Sequence, residues 1–231
     1  MGTGRRYTDS LYRVDNPDWH RSDSPWKARQ ISQALTDQVG SICEVGCGAG
    51  GILRALHDGM PAARFVGYEI APDALRLAAP LATERLEFRL RDAAQDAQHF
   101  DVMLVIDVIE HVPDPIAFLA ALRHKADLAI FHIPLELSAQ SVMRSDKLLD
   151  RRRTAGHIHF FTPETAAATV EEAGYRIASS RLTRGFDLPQ KSIKARIAKI
   201  PRRVLPPNVV VRVLGGYSLL VTAEPIDCSR S

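Results

Sequence analysis

Residues 42–51 read ICEVGCGAGG: a β-prone run, Ser41 to Val45, breaks into glycines at Gly46, Gly48 and Gly50 and then enters an apolar stretch. Ile52, Leu53 and Leu56 follow at helical spacing, so the segment predicts a strand, a glycine turn and a helix that begins near Gly50. Glycines at such a turn let the backbone N–H groups and a ligand come close together. A tight turn without a ligand would use the same residues, so the neighbouring positions have to decide between the two.

Working outward, the same strand-then-helix alternation recurs. Arg64–Ile70 (RFVGYEI), Leu86–Leu90, Asp101–Ile106 (DVMLVI), Leu128–Ile133 (LAIFHI), Tyr175–Leu182 and Tyr217–Ala223 read as strands. Pro72–Leu81 reads as a helix, and Asp114-Pro115 and Thr162-Pro163 read as helix starts, the latter helix ended by Gly174. Upstream, Ser24-Pro25 predicts an N-cap, with Ile31, Ala34, Leu35 and Val39 on one helical face. DVMLVI is continuously apolar after its first residue, which suits a strand covered on both faces. The expected class is α/β: a doubly wound, mostly parallel sheet wrapped by helices.

Composition agrees with one globular chain. Its 231 residues are 45% hydrophobic and 25% charged, which excludes a disordered or collagen-like chain and a small disulfide scaffold. A net charge of +3 is too small to argue nucleic-acid binding, and no DNA partner is expected. Cys43, Cys47 and Cys228 form no CxxC pair and leave an odd thiol, which fits a reducing cytosol. The basic N-terminus lacks an apolar stretch after it, and Val102–Ile106 is far too short to span a bilayer. A cytoplasmic protein without a transmembrane segment is expected.

Two acids sharpen the turn. Glu44 lies inside the first strand, where a carboxylate is costly without a partner. Glu69 ends the second strand, where an acid can accept hydrogen bonds from two ribose hydroxyls. A pyrophosphate prefers G-x-G-x-x-G and an uncharged strand end. G-x-G-x-G after an acid suits a ligand with a cationic amine and no phosphate.

From Ser41 to about Arg181 the chain resembles the class I S-adenosylmethionine-dependent methyltransferases, particularly those similar to ubiquinone-biosynthesis O-methyltransferases. The resemblance is carried by ICEVGCGAGG, by Asp92-Ala93 after the third strand, by FDVMLVIDVIEHVPDP (Phe100–Pro115) and by GHIHFFTPET (Gly156–Thr165). It implies a seven-stranded Rossmann-like methyltransferase sheet whose last strand is antiparallel and inserted beside strand five. It also implies S-adenosylmethionine as donor and S-adenosylhomocysteine as product. The implied contacts are Glu44, Gly46, Cys47, Gly48, Gly50, Glu69, Ile70, Asp92, Ala93 and Asp107, with the Asp92 carboxylate on the adenine amine and Asp107 near the methionine moiety. The expected organisation is a cap and first helix over residues 1–40, then a donor-binding domain over 41–231 with substrate-wall insertions at 134–161 and 183–216.

Methyl transfer to a hydroxyl needs a proton acceptor near neutral pH, a role that suits histidine. His157 is the first candidate, because the resemblance places it facing the substrate; His132 at the end of strand five and His111 after strand four follow. His157-x-His159 with Glu136 or Asp150 nearby has no wider metal-ligand spacing, so no metal is expected. Arg151, Arg152 and Arg153 could grip a carboxylate or phosphate, hence an expected anionic or sugar-containing small-molecule acceptor.

Nine basic residues and one acid, Asp187, lie between Arg181 and Arg212; Ile193, Ile197 and Ile200 within it favour a short amphipathic lid with an electrostatic funnel over a helix lying on anionic membrane, for which it is short. Tyr12 through His20 are expected to fold over the donor as a cap. O-methylation leads; N-methylation of a small molecule, RNA methylation and an inactive scaffold are the alternatives. Asp107-Val-Ile-Glu stands where amino-methylating nucleic-acid enzymes carry Asn/Asp-Pro-Pro-Tyr/Phe, which counts against RNA.

Overall fold

A computed structural model describes residue 19 and residues 21–185 and 205–226. Tyr12 and His20 of the expected cap, Ile193, Ile197 and Ile200 of the expected lid, and Cys228 lie outside the described residues. The described chain folds as one seven-stranded sheet in the order β3-β2-β1-β4-β5-β7-β6. The strands are β1 (Ser41–Val45), β2 (Arg64–Glu69), β3 (Leu86–Leu90), β4 (Phe100–Ile106), β5 (Ala126–Leu135), β6 (Tyr175–Arg184) and β7 (Tyr217–Pro225). All neighbours are parallel except β7, which runs antiparallel to both β5 and β6. The order reverses between β1 and β4, the place where an open α/β sheet leaves a crevice beyond its strand ends.

Alternation along β4 explains its continuous apolarity. Val102, Leu104 and Ile106 pack in a layer with α1 (Ser24–Ser32) and α2 (Gly51–Gly59), contributing beside Ile31, Leu53 and Leu56. Met103 and Val105 face the opposite layer, with Leu119 from α4 (Pro115–Ala121), Val170 from α7 (Pro163–Glu172) and Val210 from α8 (Pro207–Val213). Helices cover both faces from Val102 onward, so those positions are apolar; Asp101, exposed at the strand's start, instead accepts from Gly40 and Ser41 N–H at 2.7 and 2.9 Å. On the other side of the reversal, α3 (Pro72–Ala78) connects β2 to β3.

Two predicted caps form as expected. Asp114 Oδ1 accepts from Ala117 N–H at 2.9 Å. Thr162 and Thr165 make a reciprocal capping box. The first helix differs: residues 21–23 already form a 3₁₀ turn, so Ser24 is the first helical residue and Asp23 its cap. Ser24 is instead buried against Gly51, where a Cβ would stand 2.5 Å from its hydroxyl. The helix ends at Ser32, and Ala34, Leu35 and Val39 pack beyond it as partly buried residues. Within the 134–161 insertion, α5 (Ala139–Met143) and α6 (Ser145–Thr154) form two short helices beside the strand ends.

Candidate active site

The glycine turn is held by packing as much as by conformation. Gly46, Gly48 and Gly50 have φ of +71°, +54° and +74°, a region that costs other residues roughly 1–2 kcal/mol. A Cβ on Gly46 would lie 2.8 Å from Val108 Cγ2, and one on Gly50 would lie 2.6 Å from the Phe88 ring. Gly46 and Cys47 donate their N–H groups to Tyr68 O, at 2.9 and 3.0 Å. Gly48 N–H donates to Glu69 Oε2 at 2.8 Å, while Ile70 and Ala71 N–H donate to Oε1, also at 2.8 Å. The Glu69 carboxylate therefore ties the turn after β1 to the end of β2. Burial pushes its pKa up, and these three N–H groups oppose the rise.

Two acids, Glu44 and Asp107, lie near one cation, Lys27, at the head of the crevice. Glu44 is 2% exposed and its Oε2 is buried without a hydrogen bond. Burial pushes its pKa up to about 8; Lys27 opposes the shift, and Glu69 and Asp107 add to it. Asp107 ends β4 with φ +54° and binds Lys27 Nζ through Oδ2 at 2.7 Å and His132 Nδ1 through Oδ1 at 2.7 Å. Burial works against the Asp107 carboxylate, yet Lys27 and His132 together hold its pKa well below the usual range. His132 is 3% exposed, and its Nε2 lies 3.0 Å from Thr183 Oγ1, so both ring nitrogens are engaged.

A cavity of about 450 Å³ runs from this head toward the histidines. Its far end is walled by Glu110, His111, Glu136, Arg151 and His157. His157 Nδ1 lies 2.6 Å from Glu136 Oε2, and Arg151 Nε is 3.1 Å from Glu136 Oε1. The rings of His111 and His157 meet edge to face, centroids 4.7 Å apart. Glu110 is fully buried, and neither of its carboxylate oxygens has a hydrogen bond. Burial drives its pKa well up, with Asp107 adding to the rise.

Of the residues singled out in the sequence, Glu44, Gly46, Cys47, Gly48, Glu69, Ile70 and Asp107 line this cavity, as do His111, His132 and His157. Gly50, Asp92 and Ala93 are not among its walls. Gly50 faces Phe88 and Ala78 instead; exposed Asp92 caps a short turn by accepting from Ala94 N–H at 3.0 Å; and Ala93 packs into the core beneath. His159 turns away toward Pro113 O, 3.3 Å from its Nε2. Lys27 is the residue that sequence reasoning passed over. Its signal was a cation on the buried face of a helix, one turn from Ser24 and Ile31.

The sheet order, the reversal at β1/β4 and the braced glycine turn define the class: a Rossmann-like methyltransferase fold of the S-adenosylmethionine-dependent kind. The sequence profile of a family described as a methyltransferase domain matches residues 19–180, and the chain belongs to that family. A ubiquinone biosynthesis O-methyltransferase of Cereibacter sphaeroides is 35% identical over 105 residues, 41% of this chain and 40% of that protein. The chain thus spans about two fifths of that relative. One of the same name from Hydrogenovibrio crunogenus is 26% identical over 166 residues, 65% of this chain and 68% of that protein. Among solved structures, the magnesium protoporphyrin IX methyltransferase of Synechocystis with bound S-adenosylhomocysteine superposes with a TM-score of 0.58. It is 17% identical and covers 89% of this chain and 83% of its own, a likeness of fold.

Proposed function

We propose that the chain transfers the sulfonium methyl of S-adenosylmethionine to a hydroxyl oxygen of a small molecule bound at the histidine end of the cavity. The carrying observation is that one cavity joins the glycine turn and its acids to a histidine–carboxylate cluster. Glu44 meets the donor's ammonium, and Glu69, already set by three backbone N–H groups, accepts from the ribose. Lys27 and His132 hold Asp107 beside the methionine end.

The sulfonium methyl is already electrophilic, so the protein chiefly aligns the acceptor and excludes water. The acceptor oxygen forms a bond to the methyl carbon as the carbon–sulfur bond breaks, and the electron pair goes to sulfur, which leaves as a neutral thioether. The hydroxyl proton passes to the cluster. His157, oriented by Glu136, stands nearest to that task among the three candidate histidines, since His132 is occupied on both nitrogens. An anionic acceptor gains little from Arg151, whose Nε donates to Glu136. The relatives' name supports oxygen as the target atom.

A cytoplasmic setting belongs to the same reading. Cys43 and Cys47 are free thiols, and no helix among the described residues is long and apolar enough to cross a membrane. The test supplies methyl-labelled S-adenosylmethionine with a panel of phenols, aliphatic alcohols, amines and RNA. Label in the hydroxyl compounds supports the reading. Label confined to amines or RNA, or none together with no binding of S-adenosylhomocysteine, overturns it.

A further inference from the structure

We infer that Thr183 is a positioning residue for the donor end of the cavity: it obliges His132 to carry a proton on each ring nitrogen, so that Asp107 stands between two cations, Lys27 and the His132 imidazolium. The role in donor binding rests on the function proposed above; the protonation of His132 does not.

Thr183 lies on β6, is 2% exposed, and has a single hydroxyl proton to give. Its Oγ1 donates to Ser218 O on β7 at 3.2 Å. Pro134 stands opposite Ser218 on β5 and has no N–H to offer that carbonyl. With its proton spent, Thr183 Oγ1 accepts from His132 Nε2, 3.0 Å away. On the other side of the ring, Asp107 Oδ1 lies 2.7 Å from Nδ1. Burial opposes ionisation of Asp107, yet Lys27 and His132 hold it as a carboxylate, which only accepts. Both ring nitrogens therefore donate, and a separation of 2.7 Å suits a charge-assisted N–H···O bond.

A buried imidazolium is costly unless it is paired and fully hydrogen-bonded. Asp107 supplies the opposite charge and Thr183 the second acceptor, while the Trp26 ring of α1 meets the His132 ring edge to face, centroids 6.1 Å apart. Burial pushes the nearby acids Glu44 and Glu110 toward their neutral forms, which leaves Asp107 as the anion for both cations. Asp107 needs such holding, because its φ of +54° is uncommon for a residue with a side chain. His132 fixes it twice: its carbonyl accepts Asp107 N–H at 2.9 Å, and its Nδ1–H meets the carboxylate. Oδ2 is then left to Lys27. A hydroxyl on β6 thus sets the charge that holds a residue at the end of β4, three strands away in the sheet.

The test uses full-length protein labelled with nitrogen-15 in histidine. Long-range proton–nitrogen spectra at pH 7 report which ring nitrogens carry protons, and the signals lost in His132→Asn assign the residue. Two protonated nitrogens are expected in wild type and only Nδ1 in Thr183→Val, whose side chain offers no acceptor. Calorimetry with S-adenosylhomocysteine reads the consequence. Affinity should fall about fivefold in Thr183→Val, the difference between a charged and a neutral hydrogen bond to Asp107. Thr183→Ser, which keeps the hydroxyl, should match wild type in both measurements. In an Asp107→Asn background Thr183→Val should cost nothing further, which a merely structural role would not produce. Near-ultraviolet circular dichroism verifies that each variant is folded. A single protonated nitrogen on His132 in wild type overturns the assignment. An equal loss from Thr183→Val with and without Asp107→Asn overturns the positioning role. A wild type that shows the imidazolium and binds no S-adenosylhomocysteine overturns the function proposed above and leaves the protonation standing.

Discussion

Replacing Glu44 by glutamine removes a carboxyl that the ligand-free protein holds mostly protonated at neutral pH, with a pKa pushed up to about 8 by burial. At pH 7 about 0.9 of the molecules then carry that proton, and an arriving ammonium group favours the ionised form. Donor binding should therefore release about 0.9 proton at pH 7, the other charges nearby being already matched: Lys27 with Asp107, Glu69 with three backbone N–H groups. Affinity should rise up to about tenfold per pH unit on approach to pH 8 and flatten above it. Calorimetric titration in two buffers of different ionisation enthalpy measures the release directly. Glu44→Gln should abolish it and weaken binding by about 1.5–3 kcal/mol, the worth of a hydrogen bond to a charged group. The same carboxyl also shapes the stability of the unliganded chain. Its folded pKa lies above the unfolded value, so its contribution is fully present below about pH 4.5 and is lost as pH rises through about 8. Glu44→Gln should flatten that decline between pH 6 and 8. Equal proton release by wild type and Glu44→Gln, or none by wild type, would refute the reasoning.

Other substitutions test the frame of the site. Gly46→Ala forces a side chain into φ +71° and against Val108 at 2.8 Å; urea unfolding should show a loss of about 2 kcal/mol or more. Lys27→Met leaves the Asp107 carboxylate with His132 as its remaining partner, and since Asp107 is 26% exposed the loss should be about 2 kcal/mol, below that of a fully buried pair. Adding Asp107→Asn should then cost less than in wild type, which a double-mutant cycle in urea would read. Thr162→Ala removes one half of the capping box on α7 and should lower stability by ~1 kcal/mol with S-adenosylhomocysteine affinity unchanged.

Local chemistry in the sequence determined the elements and the glycine-turn end of the cavity. Helical spacing, proline after Asp114 and Thr162, and the apolar run Val102–Ile106 each depend on residues a few positions apart, so each is legible in a linear reading. The Gly46–Gly50 turn is local in the same sense, and Glu44 and Glu69 stand at strand positions whose direction follows from the turn. The position of the last strand came from family resemblance, since nothing near Tyr217–Pro225 says which strand it will join.

What only the tertiary structure decided is convergence between distant segments. That the Asp92 carboxylate lies at the surface and accepts from Ala94 N–H, outside the cavity wall, is decided by the packed chain. Lys27 and Asp107 are far apart in the chain and meet at 2.7 Å because α1 packs across the end of β4. His157 and His159 look equivalent in the sequence, but the backbone bonds to Glu110 turn one into the cavity and the other toward Pro113. Side-chain direction in a loop is set by whichever backbone partner the packed fold supplies, and that partner is remote in sequence. For this protein the glycine-turn end of the cavity could be read locally, whereas the histidine end existed only once β4, β5 and the loop after α6 had been brought together.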